Sequence, residues 1–182
     1  MPKSKSAYST PSIKQKSDTY IFVVWVDNEA GVLARVVGLF SGRGYNIESL
    51  AVAEVDAVKN ISRITIVTTG TPQVIDQIKL QLKKLVPVHK VADFKREDKN
   101  VIFKEMALFK IVGNSAKIDK AFKACKKHDA VILDSTKKSK VIQITALRRE
   151  IDNMAKILKK FGLISVSRTG AVAMTRGDKV FK

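Results

Sequence analysis

Apolar positions along this chain run twice through the same succession of strand-like and helix-like spacings. Tyr20-Ile21-Phe22-Val23-Val24-Trp25-Val26 is an unbroken apolar run rich in β-branched residues, which predicts a buried strand. Asp27 to Gly31 interrupts it. Val32, Leu33, Val36, Val37 and Phe40 then recur at helical spacing up to a stop at Gly42-Arg43-Gly44. Asn46 to Val55 reads as a strand with Ile47, Ser49, Ala51 and Ala53 on one face. A polar turn at Lys59-Asn60 leads into the strand Ile61–Val67. Thr71-Pro72 has the form of an N-cap followed by a first-turn proline. Behind it Val74, Ile75, Ile78, Leu82 and Leu85 mark one helix face, and Val86 to Phe94 closes the unit as a strand. The order is βαββαβ.

Lys95 to Asn100 is charged and lacks apolar residues, so it reads as a boundary. The order then repeats. Val101–Val112 is strand-like, and Gly113-Asn114-Ser115 caps a helix that turns Ile118, Ala121, Phe122 and Cys125 inward. Ala130–Leu133 and Val141–Leu147 are strands on either side of the turn at Lys137–Lys140. Ile151, Met154, Leu158 and Phe161 mark a helix ended by Gly162, and Leu163–Arg168 completes the second unit. The predicted fold class is α+β: two ferredoxin-like βαββαβ domains, each with helices on one face of an antiparallel sheet. The domains are expected at 20–95 and 96–182, behind a disordered, Ser/Lys/Thr/Pro-rich tail over 1–19. The repeat is one of topology, since the two halves are not visibly similar in sequence. An open sheet edge or face on units this small predicts pairing with another copy or chain, with Tyr20 and Trp25 as contributors or as plain core aromatics.

Charge alters the picture only after it is divided. The 182 residues carry 34 Lys+Arg against 17 Asp+Glu, a formal +17. Such an excess invites a polyanion partner. Yet residues 20–98 hold 10 basic and 9 acidic side chains, while 99–182 hold 20 and 7. The excess therefore belongs to the second half. It is mostly Lys, 26 against 8 Arg, which disfavours the bidentate recognition that arginine provides. It reads as a solvated surface or as a complement to an acidic protein face. The single Cys125 excludes an internal disulfide and a cysteine-cluster metal site; His89 and His128 are too few and too far apart for a histidine one. No apolar run approaches the roughly 20 residues of a membrane span. The tail has neither the apolar core of a secretory signal nor the arginines of a transit peptide, so a cytoplasmic location is the default expectation.

The segment Asp27-Asn28-Glu29-Ala30-Gly31-Val32-Leu33 carries the candidate chemistry. A helix start presents N–H groups without intrahelical partners at the positive end of the dipole, a place for a small carboxylate or phosphate. Gly31 removes the Cβ that would keep a ligand from the backbone. Asn28 offers both a donor and an acceptor, and Asn46 supplies a second such group. Two asparagines and a helix N-terminus satisfy an amino acid's carboxylate and ammonium without any catalytic group. The bland alternatives are equally concrete: Asn28 as a helix N-cap, and Asn46 as a turn residue tolerating unusual backbone angles.

The run from Asp27 through Gly31-Val32-Leu33-Ala34-Arg35, Gly38-Leu39-Phe40-Ser41-Gly42-Arg43-Gly44-Tyr45-Asn46-Ile47-Glu48-Ser49-Leu50 resembles the start of the acetolactate synthase (acetohydroxyacid synthase) small regulatory subunit family. The likeness continues through Ser62–Val67 and Gln77–Val86, and returns at Arg168-Thr169-Gly170 and Arg176-Gly177-Asp178-Lys179. It covers roughly 20–182, with 114–160 matching loosely. The resemblance implies that the first domain is an ACT domain, a module that pairs and binds a feedback amino acid, usually valine, at the pair interface. It places effector-binding residues at Asn28, Gly31 and Asn46, with Val32, Leu33 and Ile47 as neighbouring contributors. It further implies no catalytic residues and no metal or cofactor on this chain. The partner it implies is a large catalytic subunit carrying thiamine diphosphate and Mg2+, with FAD as an optional addition. That partner joins pyruvate to a second 2-oxo acid in branched-chain amino acid biosynthesis. Small-subunit binding raises its activity and the effector lowers it.

Three rival classes are disfavoured by residues. An RNA-recognition motif shares the βαββαβ order but stacks bases on third-strand aromatics, and neither Ile61–Thr69 nor Val141–Leu147 contains one. No helix–turn–helix pattern flanks the repeats, as a transcription regulator would require. A free-standing enzyme needs an acid–base or nucleophile set. Cys125 falls on an apolar helix stripe, His128 ends that helix, and His89 sits in a strand with no partner apparent in the sequence. Neither nucleic acid nor a membrane is an expected partner.

Overall fold

The computed structural model describes residues 17–178, so residues 1–16 of the tail expected over 1–19 lie outside the described residues, as does Lys179. Two antiparallel sheets each carry two helices. The first contains β1 (Asp18–Asp27), β2 (Ser49–Asp56), β3 (Ile61–Gly70) and β4 (Val88–Lys95) in the order β2-β3-β1-β4, with α1 (Val32–Ser41) and α2 (Pro72–Lys83). The second contains β5 (Val101–Val112), β6 (Val131–Ser135), β7 (Ser139–Ala146) and β8 (Leu163–Arg168) in the order β6-β7-β5-β8, with α3 (Ser115–Cys125) and α4 (Arg148–Lys159). The molecule is α+β with two ferredoxin-like halves, as the periodicities predict.

Boundaries differ from the sequence reading in informative ways. β1 starts at Asp18, opposite Gly70, so Asp18 and Thr19 belong to the first domain rather than to the tail. Asn46, Ile47 and Glu48 precede β2 instead of beginning it. Val86 is 94% exposed and lies ahead of β4. Local caps agree with expectation: Thr71 accepts from the N–H of Val74 before α2, and Asn114 from that of Lys117 before α3.

The unbroken apolar run of β1 has a tertiary explanation. Tyr20, Phe22, Val24 and Val26 face the helices and join Val36, Phe40, Ile75, Ile78 and Leu82 in the first core. Tyr20 is thus a core residue. Ile21 and Val23 point to the opposite face, which a two-layer domain would leave in water. Here they are buried as well, against Val67, Val101, Phe103, Ala171 and Ala173. The cover is a two-stranded ribbon that the sequence did not announce: β9 (Val172–Thr175) pairs with Val101–Lys104, the first four residues of β5.

β5 alternates strictly, with every odd position buried. Its first part, Val101 and Phe103, packs on the first sheet, while Ala107, Phe109 and Ile111 form the second core with Ile118, Ala121, Cys125, Ile142, Met154 and Leu158. One strand therefore serves two cores. The outer face of the first sheet, for which an outside partner was expected, is covered in part by the chain's own second half. Trp25 lies at the margin of that contact, half-buried, with the Arg63 guanidinium 5.4 Å and the Lys90 ammonium 5.6 Å from its ring centre.

Candidate functional site

Asn28 follows the end of β1. Its N–H donates to the carbonyl of Asn60 at 2.8 Å, and its carbonyl accepts from Asn60 Nδ2 at 3.3 Å. Its side-chain Oδ1 accepts from the hydroxyl of Ser62 at 3.0 Å. With the acceptor so engaged, Asn28 can offer a ligand its two amide N–H donors without giving up Ser62, which suits a carboxylate. Beside it the ring of His89 donates from Nε2 to Oδ1 of Asp27 at 2.5 Å. His89 thus has the partner that its sequence position hides.

The residue that caps α1 is Gly31, not Asn28, and no side chain caps the helix. Gly31 has φ 85, a left-handed conformation in which any Cβ is strained, yet a Cβ there would meet nothing within 4 Å. The requirement for glycine is conformational, and the space above it is open. Val32 is buried in the first core, so only its backbone faces the loop; Leu33 is 40% exposed.

Asn46 and Ile47 lie between α1 and β2. The Asn46 carbonyl accepts from the hydroxyl of Thr68 at 2.7 Å, and its side chain is exposed. The non-glycine residues with left-handed backbone are Asn60 and Asp129 among the described residues, so Asn46 is not held there for backbone reasons. Ile47 is half-buried against the first core. Both bland readings of the two asparagines therefore fail.

The geometry separates what the sequence grouped. Asn28 is anchored to Ser62 at one end of β3, and Asn46 to Thr68 at the other. Six residues of strand correspond to about 20 Å. Within one chain, Asn28, Gly31 and Leu33 stand toward one end of β3 and Asn46 with Ile47 toward the other.

Sequence reasoning missed a second polar cluster, between the two halves of the chain. Glu105 on β5 is 3% exposed and is gripped by Arg168, whose Nε and Nη2 both bond its carboxylate, the latter at 2.9 Å. Arg168 Nη1 also reaches Asp152 Oδ1 on α4 at 2.7 Å. The Glu105 carboxylate above all, with Asp152 behind it, outweighs burial and holds the guanidinium above its usual pKa. Thr169 Oγ1 accepts from the N–H of Met106 at 3.2 Å, and Ala171 N–H donates to Ser49 Oγ at 3.3 Å. The only signal for this cluster in the sequence was Arg168-Thr169-Gly170, which the family resemblance picked out without a role.

The AHAS small subunit-like ACT domain matches residues 22–90, and the small subunit of acetolactate synthase matches residues 104–177. The acetolactate synthase small subunit of Mycobacterium bovis is 33% identical over 161 residues, covering 88% of this chain and 94% of its own length. This chain belongs to the acetolactate synthase small subunit family. The small subunit of Buchnera aphidicola subsp. Baizongia pistaciae is 37% identical over 155 residues, covering 85% of this chain and 96% of itself. The crystal structure of the small subunit from Thermotoga maritima superposes with a TM-score of 0.80 at 31% identity, covering 88% of this chain and 99% of that one.

As in the family, the first half of this small subunit is an ACT domain. The two family matches leave 91–103 between them, the segment in which β4 ends and the β5 half of the ribbon begins. No described helix is long and apolar enough to cross a membrane.

Proposed function

We propose that this small subunit binds and activates a thiamine-diphosphate-dependent acetolactate synthase large subunit, itself contributing no catalytic group, and imposes feedback inhibition by a branched-chain amino acid, valine first. The observation that carries the site is the separation of Asn28 from Asn46 along β3. Two half-sites about 20 Å apart serve one small ligand only if they come from different copies. The effector then lies between two ACT domains, with Asn28, Gly31 and Leu33 from one protomer and Asn46 and Ile47 from its partner. Asn28 Nδ2 and the open N-terminus of α1 hold the carboxylate, and the Asn46 amide oxygen accepts from the ammonium.

A homodimer is supported by β2, which pairs only with β3 among the described residues and leaves its other edge open, with Val52 and Val55 43% and 51% exposed. Thiamine diphosphate, Mg2+ and any FAD belong to the large subunit. The basic second half has the charge to meet an acidic face of that partner. Nothing in the reading requires nucleic acid or a membrane, and the complex is placed in the cytoplasm with the rest of amino acid biosynthesis.

The test is reconstitution with the large subunit and titration with valine, leucine and isoleucine. Asn28→Ala and Gly31→Asp should leave activation in place and raise the half-inhibiting valine concentration by about tenfold or more, equivalent to about 1.4 kcal/mol of lost binding. Unchanged valine sensitivity in both variants refutes the site.

A further inference from the structure

Glu48 stands one residue beyond Ile47 and is held from both halves of the chain. From the ACT domain, its N–H donates to the Val67 carbonyl at 2.8 Å, and its Oε1 accepts from Thr69 Oγ1 at 2.5 Å. From the second domain, both terminal nitrogens of Arg148 approach its carbonyl at 3.4 Å, and Nη2 lies 4.0 Å from its Oε2. The next residue, Ser49, accepts from Ala171 N–H. Gly170 lies so near that a Cβ would stand 2.7 Å from Ser49 Oγ and 3.2 Å from the Leu50 carbonyl, and its φ of 80 is left-handed. A shallow cleft of about 260 Å³ remains between these groups.

The far side of this contact is one block. Arg148 is the first residue of α4, and Arg168 joins Asp152 on α4 to Glu105 on β5. The Arg168-Thr169-Gly170 turn is therefore tied to α4 through the Arg168 guanidinium. A displacement of residues 46–48 meets α4 through Arg148 and the turn through Ser49 together. The Arg148 contacts are long, so small shifts change them substantially, whereas the Arg168 contacts behind them are short.

We propose that Arg148, with Gly170 as its backbone counterpart, is the positioning residue that transmits occupancy of the Asn46–Ile47 half-site to the second domain. The effector touches residues 46–47, residue 48 moves with them, and α4 follows. This rests on the effector reading of Asn46. Allostery of this kind requires that the ligand favour one arrangement of the junction over another.

The test uses the full chain with its large subunit. In Arg148→Met, valine binding measured by calorimetry should stay within about threefold of wild type, while the half-inhibiting valine concentration rises by about tenfold or more. Arg148→Lys, which keeps the charge but not the fork, should fall between. Binding retained with inhibition lost is what a purely structural residue would not produce. Inhibition of folded Arg148→Met at the wild-type valine concentration overturns the proposal. A second arm needs no valine: in Glu48→Ala, amide exchange at 148–152 and 168–171 should change by about twofold or more, though neither segment is near the mutation in sequence. If the wild-type protein binds no branched-chain amino acid, the effector reading falls, and this arm alone decides the junction: exchange altered only within the ACT domain overturns it.

Discussion

Ser62 donates to the side chain of Asn28 and Thr68 to the backbone of Asn46, so the two asparagines are bound to opposite ends of the same strand. Both hydroxyl-bearing residues are buried, at 5% and 1% exposure, so each asparagine is tied to the sheet. A site that uses both is composite by construction.

Subunit mixing tests this directly. Asn28→Ala and Asn46→Ala homodimers should each bind almost no valine. In a two-fold dimer assembled from one of each, one site carries both defects and the other carries neither. Random reassortment of equal amounts should restore about a quarter of the wild-type binding capacity, because half the dimers are mixed and each has one intact site. Calorimetry after unfolding and joint refolding reads this out; no recovery would place both asparagines in a site within one chain.

Arg168→Met should be strongly destabilising. It leaves the Glu105 carboxylate in a position 3% exposed with its cationic partner gone. Removing one member of such a pair costs about 3–5 kcal/mol. Replacing both, as Glu105→Met with Arg168→Met, should recover much of that loss, which denaturant unfolding of the three variants can measure.

Phe103→Ala tests the ribbon as a structural element. Phe103 packs with Ile21, Val23 and Val67 of the first sheet, and its truncation should cost about 3 kcal/mol. Ile102, one residue earlier and 36% exposed, should cost about 1 kcal/mol or less when changed to Ala. Equal effects would mean that the ribbon does not lie on the first sheet.

Cys125 supplies a pH dependence. Burial in the second core pushes its thiol from 9.0 up to about 11. The folded chain keeps this proton where the unfolded chain loses it. The stabilisation is therefore complete below pH 9 and lost as pH rises from 9 to 11. The wild type should lose about 2–3 kcal/mol more than Cys125→Ala across that window, at roughly 1.4 kcal/mol per unit, in parallel urea titrations.

Much of the fold was legible because its signals are local. Ile75, Ile78 and Leu82 sit on one helical stripe and are all buried, and the alternation of β5 matches its burial residue by residue. Thr71 and Asn114 cap the helices that follow them. The ribbon was hidden for an equally definite reason: Val172–Thr175 is four residues long, too short for a period to declare itself. Trp25 is ambiguous in sequence because a strand residue does not reveal what covers its face.

The candidate site divides the same way. That Asn28, Gly31 and Asn46 are the candidates for ligand chemistry can be read from residue types and a family likeness, since the donors, acceptors and missing Cβ are properties of the residues themselves. That Asn28 and Asn46 stand at opposite ends of β3, that His89 meets Asp27, and that Arg148 reaches Glu48 100 positions away are matters of sheet order and domain packing. Chain chemistry alone determined which groups are available to a ligand. Only the tertiary structure decided which of them share a space, because contacts between residues far apart in sequence follow from how β1 and β3 pair and how β5 links two cores, and no local pattern encodes that.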